Sequence, residues 1–366
     1  MKSQKVPGAF KDQLKQLAEN VSGIPEVRIM EFCGGHTHAL VQSGLLGLLP
    51  SNIKMIHGPG CPVCVLPAHH IDAVIDLMKR DSHVSVACFG DLMRIPTMKG
   101  ESLAKMREQG HDVRLVYNPS DLITFAKLEP QKSFLYLAIG FETTAPATAR
   151  LIEKVNDQKI DNIKVYCLHV TTDVAIDQVM KNISPARRPM GLIGPGHVSM
   201  VTGLDIYHEA MDVHRVPICI SGFEPEDLLE SLVILTEQIK NKEIKVTNQY
   251  TRALKSEGNQ EAQKLLARIF ERRDHFVWRG LGSLPASGLK LKSEFQHLDA
   301  EKVFTLNYRE VPEHPACLCS KILIGEAAPT DCKLYHKACT PNNPMGSCMV
   351  SSEGACSAYY AQGIQA

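Results

Sequence analysis

A chain of 366 residues with 44% hydrophobic and 22% charged residues has the ordinary balance of a globular protein, and it is long enough for two or three domains. Lys+Arg and Asp+Glu both total 40, so no net field recruits nucleic acid or an anionic membrane surface. No apolar stretch approaches the roughly 20 residues that span a bilayer, and no apolar signal region follows Met-Lys-Ser-Gln-Lys-Val-Pro-Gly at the start, so a cytoplasmic protein with neither nucleic-acid nor membrane partners is expected.

Phe10, Leu14, Leu17 and Val21 recur at helical spacing and open the chain with an amphipathic helix. Short β-rich runs then alternate with helical patterns, which predicts stacked βαβ units and mainly parallel sheets. Strands are expected at 27–32, 53–57, 84–89 and 113–117, then at 134–139, 163–169, 191–193 and 217–220. Helical periodicity is clear at Ile71, Val74, Ile75 and Met78, and again across 228–239. Gly58-Pro59-Gly60 and Gly194-Pro195-Gly196 both follow strands, and Gly140-Phe141-Glu142 recurs as Gly222-Phe223-Glu224. The expected fold class is therefore α/β: two pseudo-symmetric parallel-sheet α/β domains, 1–118 and 119–247, around a cleft. A third module, 248–366, is expected to be helical and loop-rich, with its cysteines stapled by an iron–sulfur cluster.

A reducing compartment makes clustered cysteines metal ligands or redox thiols rather than structural disulfides. Of the 12 cysteines, Cys88, Cys167 and Cys219 sit in apolar strand-like runs and read as small core hydrophobes. Cys33 follows a strand and precedes Gly34-Gly35-His36-Thr37-His38, a strand–loop–helix corner. There the helix N-terminus would lower a thiol pKa, and two histidines could carry protons or ligate metal. A tight turn around a buried cysteine is the plainer alternative. Cys61-Pro62-Val63-Cys64 follows a Gly-Pro-Gly turn and can close a redox disulfide or supply two ligands to one metal, including a zinc shared with distant residues.

In the tail, Cys319, Cys332, Cys339 and Cys356 are separated by 12, 6 and 16 residues, with Cys317 and Cys348 as further candidates. These irregular spacings favour an iron–sulfur cluster over a zinc ribbon, with Cys319 preferred to Cys317 on spacing. No Walker sequence or dinucleotide fingerprint is present. Glu142-Thr143-Thr144 and His197-Val198-Ser199 could line the cleft or cap helices, and Trp278 in Trp278-Arg279-Gly280-Leu281-Gly282 could cover a neighbouring domain or sit in a core.

Several of these segments form a long ordered set: Cys33-Gly34-Gly35-His36-Thr37-His38, His57 through Pro67, Gly140-Phe141-Glu142-Thr143-Thr144, Gly194 through Met200, Gly222-Phe223-Glu224-Pro225, Asn248-Gln249-Tyr250, Trp278 through Gly282, and Met349 through Cys356. Together, from about residue 27 to the end, they resemble the HypD family of hydrogenase maturation factors. The resemblance implies assembly of the Fe(CN)2CO moiety of [NiFe]-hydrogenases, in complex with a HypC-like chaperone. A HypE-like protein would deliver cyanide, with HypF upstream. It further implies that Cys33 helps hold the iron, that Cys61 and Cys64 form the neighbouring dithiol, and that Cys319, Cys332, Cys339 and Cys356 bind a [4Fe–4S] cluster. On this reading Cys33, Cys61 and Cys64 could share the iron, and His36 or His38 would move protons. A cluster-dependent disulfide reductase is the alternative.

Overall fold

The computed structural model describes residues 8–97, 100–309 and 314–365. Helix α1 (Gly8–Asn20) buries Phe10 and Leu17 and leads into β1 (Val27–Glu31). Helix α2 (Gly34–Gln42), β2 (Ile53–His57), the single turn α3 (Pro62–Val65) and α4 (His69–Arg80) follow. The next strands are β3 (Val84–Cys88), β4 (Val113–Leu115), β5 (Ser133–Gly140) and β6 (Ile163–His169). After them come β7 (Gly191–Pro195), β8 (Ile218–Ser221) and β9 (Val246–Asn248).

These nine strands make two wholly parallel sheets, ordered β2-β1-β7-β8-β9 and β4-β3-β5-β6. Both faces of such sheets are covered, which is why every residue of β3 and β7 is buried and Ser85 is the one polar residue in the two strands. The fold is α/β with parallel-sheet units and a loop-rich, cysteine-bearing C-terminal region, as expected.

Sheet membership does not follow the expected boundaries. The break at 118/119 falls inside the second sheet, between β4 and β5, and that sheet is inserted between β2 and β7 of the first. The reason is pairing at long range: β1 takes β7 as its neighbour across some 160 residues, which no local pattern encodes. The repeated Gly-Phe-Glu segments do fall one to each sheet, after β5 and β8, whereas both Gly-Pro-Gly turns belong to the first.

In each sheet the strand order reverses direction once, between β1 and β7 and between β3 and β5. Parallel sheets place their binding loops at the carboxyl ends of strands beside such a switch point. Here the two switch points face one cavity of about 210 Å³, lined among others by Gly60, Asp91, Phe141, Thr143, His197 and Glu353.

Beyond β9 the chain divides its allegiance. Phe270, Leu291, Phe295 and Leu298 join the core of the second sheet. The cysteines from 319 to 356 instead share a core with Cys61 and Cys64, so the tail folds back over the dithiol. Among the described residues no helix is long and apolar enough to cross a membrane.

Candidate functional site

Cys33 caps α2 in an extended conformation, with its Sγ accepting from the Gly35 N–H at 3.3 Å. The thiol is buried, and both ring nitrogens of His197 lie 3.8 Å from it. The sequence leads one to expect a depressed thiol pKa at this helix end. The site does the opposite: burial first, then the carboxylates of Glu353 and Glu31, push Cys33 well above its ordinary value. Such a thiol is held protonated until a cation supplies the charge its surroundings lack.

The histidines divide differently from the expectation as well. His36 is fully buried, stacked on Phe223 at 4.7 Å with Nε2 3.3 Å from the Ser221 carbonyl oxygen, and burial lowers its pKa to about 3. His38 is half-buried one helix face away. The imidazole brought against Cys33 is His197, whose pKa burial lowers to about 4.

Cys61 and Cys64 are joined as a disulfide, Cα atoms 5.2 Å apart, with Cys61 capping α3. Their loop rests directly on the Cys33 loop because residue 60 is glycine: a Cβ there would stand 2.3 Å from Cys33 Cα. Likewise Gly34 admits the tail, since its Cβ would stand 2.2 Å from the Glu353 carbonyl oxygen. A small space between these loops is lined by Thr37, His57, Cys61, Cys64 and Glu353.

Behind it lies a buried polar group absent from the sequence expectations. Glu31 accepts from the Cys33 N–H at 2.8 Å, from His57 Nδ1 at 2.8 Å and from the Thr37 hydroxyl. His57 Nε2 in turn meets the Tyr359 hydroxyl at 2.9 Å, tying the tail helix to β2. Burial dominates and raises the Glu31 pKa despite these partners. Glu31 and Glu353 flank the thiol as carboxylates, and Glu31 reads in the sequence as an ordinary strand residue that becomes a site residue only through tertiary contact.

Six cysteines, Cys317, Cys319, Cys332, Cys339, Cys348 and Cys356, line one cavity in the tail. The Sγ atoms of Cys319 and Cys348 approach to 2.7 Å. Among the described residues no group of three or more His, Cys, Asp or Glu side chains is placed to hold a metal ion. Sulfurs spread around a cavity suit a cluster, whose thiolates bind different irons.

Ser347 joins this cavity to the dithiol. Its hydroxyl donates to the Cys64 carbonyl oxygen at 2.8 Å and lies 3.6 Å from Cys319 Sγ, while its own carbonyl oxygen is 3.8 Å from Cys64 Sγ.

Just after β5, Glu142 accepts from the Thr172 N–H and hydroxyl at 2.8 and 2.7 Å, yet burial raises its pKa to about 7. Its ordinary value is 4.5, so its contribution to stability is complete below pH 4.5 and is lost as pH rises through 7. Urea unfolding at pH 5 and pH 8 should therefore show Glu142→Gln losing less stability than the parent over that interval, by up to about 3 kcal/mol. Equal losses in the two proteins would count against a neutral buried carboxyl.

Fold and site together define an α/β protein whose sheet-end cleft holds a buried thiol beside a disulfide pair, covered by a cysteine-rich tail. The chain belongs to the HypD family, whose profile, described as "Hydrogenase formation hypA family", matches residues 9–363. It is 46% identical to the hydrogenase maturation factor HypD of Cupriavidus necator over 341 residues, 91% of this chain and 89% of the relative. Identity to the HypD of Azotobacter vinelandii is 45%, over 93% and 90% of the two chains, and to that of Escherichia coli 40%, over 95% and 93%.

Proposed function

We propose that this hydrogenase maturation factor is the scaffold and redox component on which the Fe(CN)2CO moiety of [NiFe]-hydrogenases is assembled. The iron is its substrate, held through Cys33 together with a HypC-like chaperone, while a HypE-like protein, supplied by HypF, delivers cyanide. The observation that carries the reading is contiguity: Cys33 touches Gly60, the Cys61–Cys64 pair follows Gly60, and Ser347 contacts both Cys64 and Cys319.

Soft thiolates suit low-valent iron. Bound iron would also supply the positive charge that Cys33, between Glu31 and Glu353, needs in order to ionise.

The tail cavity suits a [4Fe–4S] cluster, with one change to the expected ligands. Thiolates on separate irons stand well apart, so the approach of Cys319 and Cys348 Sγ to 2.7 Å favours a ligand set without that pair. Cys317, Cys332, Cys339 and Cys356 remain, and all four line the cavity. Such a cluster supplies single electrons when bound.

The protein's own sulfurs can pass electrons in pairs. A Cys319 thiolate attacks Cys64 Sγ, forming a Cys64–Cys319 bond and releasing Cys61. Cys348 then attacks Cys319, forming Cys319–Cys348 and releasing Cys64. Two electrons and two protons move from the tail pair to the Cys61/Cys64 pair. A free-standing disulfide reductase would need an accessible sulfur, and Cys61 and Cys64 are both buried.

The test is infrared spectroscopy of the Cys61→Ala/Cys64→Ala protein co-purified with its HypC-like partner. Bands of metal-bound cyanide and carbon monoxide should fall at least ~10-fold relative to the parent complex if the dithiol delivers the electrons. Full bands from the double variant would remove the dithiol from the mechanism.

A further inference from the structure

The Trp278–Gly282 turn has no part in the chemistry above, yet it reaches both sulfur pairs. Strands β10 (His275–Trp278) and β11 (Gly282–Pro285) form an antiparallel hairpin with Arg279 at its tip. Trp278 roots the hairpin: it is fully buried, edge-on to Phe141 at 5.9 Å, and its indole N–H donates to the Ser287 hydroxyl at 3.0 Å.

At the tip the Arg279 N–H donates to the carbonyl oxygen of Val65, the last residue of α3, at 2.7 Å. Gly280, with φ of 80°, turns the chain against the residue after Cys319; a Cβ there would stand 2.9 Å from Ser320 Cα. The Arg279 guanidinium donates to the Ser347 hydroxyl at 3.1 Å. Ser347 is the residue that meets Cys64 on one side and Cys319 on the other. Three separate segments, the dithiol turn, the Cys319 helix start and the Ser347 turn, thus converge on Arg279 and its neighbour Gly280.

We propose that Arg279 is a positioning residue that holds Ser347 and the two sulfur pairs, Cys61/Cys64 and Cys319/Cys348, in register for thiol–disulfide exchange. Its guanidinium also offsets the negative charge that passes between the attacking and leaving sulfurs, which are themselves buried. The inference rests on the redox reading above. It explains why an arginine, with donors in several directions, stands at the tip of a hairpin anchored by the chain's single tryptophan.

The experiment uses the full chain carrying Cys348→Ala, which halts exchange at the Cys64–Cys319 bond. Iodoacetamide traps the released Cys61, and peptide mass spectrometry follows the mixed disulfide with time. In that background Arg279→Gln should slow its formation about tenfold, and Arg279→Lys should recover part of the rate. Arg94→Gln is the control, because Arg94 donates to the Val350 carbonyl oxygen in the same tail turn at 2.9 Å without reaching Ser347. It should stay within about twofold of the parent, with thermal midpoints measured alongside. An unchanged rate in Arg279→Gln, or an equal slowing in Arg94→Gln, overturns the assignment to Arg279 while leaving the exchange standing. Absence of the mixed disulfide in the Cys348→Ala parent overturns the exchange itself, and the role of Arg279 with it.

Discussion

Replacing Gly60 with alanine is expected to cost at least about 3 kcal/mol of stability and to part the dithiol from Cys33. The new Cβ would stand 2.3 Å from Cys33 Cα, 2.4 Å from Cys33 N and 2.7 Å from the Phe32 carbonyl carbon. A clash with a flexible side chain is relieved by rotation; these are backbone atoms at the end of β1, a strand hydrogen-bonded on both sides by β2 and β7. The α3 loop must therefore yield. In doing so it gives up the bond from the Gly34 N–H to the Gly60 carbonyl oxygen, 3.4 Å long in the parent. Urea unfolding measures the loss. Gly47→Ala is the control, since nothing lies within 4 Å of a Cβ there, and it should stay within about 0.5 kcal/mol of the parent. Native-state maleimide labelling of Cys33, a buried thiol in the parent, should rise in parallel. A Gly60→Ala protein of parental stability, with Cys33 still protected, would mean that the two loops do not depend on this contact.

That contact also marks how far the sequence could be read. Strands were legible because apolar runs and turn residues are local signals: β2 and β6 fall on their expected residues, and β1 ends one residue early because the Cys33 corner begins. Strand order was not legible, since it depends on which distant edges meet, and the insertion of β3–β6 between β2 and β7 leaves no trace in periodicity. The site shows the same division. Cys33, Cys61 and Cys64 announce themselves through glycine-framed motifs that chemistry rarely leaves idle. Glu31 reads as an ordinary residue in a strand, Ser347 as one in a loop, and His57 as a strand end. Their meaning lies in partners up to 302 residues away, such as Tyr359 for His57. His36 stands near Cys33 in the chain, but the helix turns it onto Phe223, and His197, just after β7 at the switch point, meets the thiol instead.

Removing the Glu31 carboxylate is expected to cost about 3–5 kcal/mol, because three donors that it satisfies are sealed from water. Glu31 has no exposed surface, and Glu31→Ala strands the Cys33 N–H, the Thr37 hydroxyl and His57 Nδ1 together. Glu31→Gln keeps one accepting oxygen and nearly the same volume, so it should cost only about 1–2 kcal/mol. The loss should also travel. Paired through Nδ1 with Glu31, the His57 ring meets the Tyr359 hydroxyl through Nε2 at 2.9 Å, which fixes the helix Ala355–Ala361 against α2. Freed from Glu31, the ring has no reason to keep that orientation, and the helix bearing Cys356 loses a buried tether. Limited proteolysis of Glu31→Ala should therefore cut the tail before the sheets, whereas Tyr359→Phe, which loses only the hydroxyl, should cost about 1 kcal/mol and loosen the tail less. If Glu31→Ala proved as stable as Glu31→Gln, with its tail equally resistant, the carboxylate would not be what holds the Cys33 loop and the tail in register.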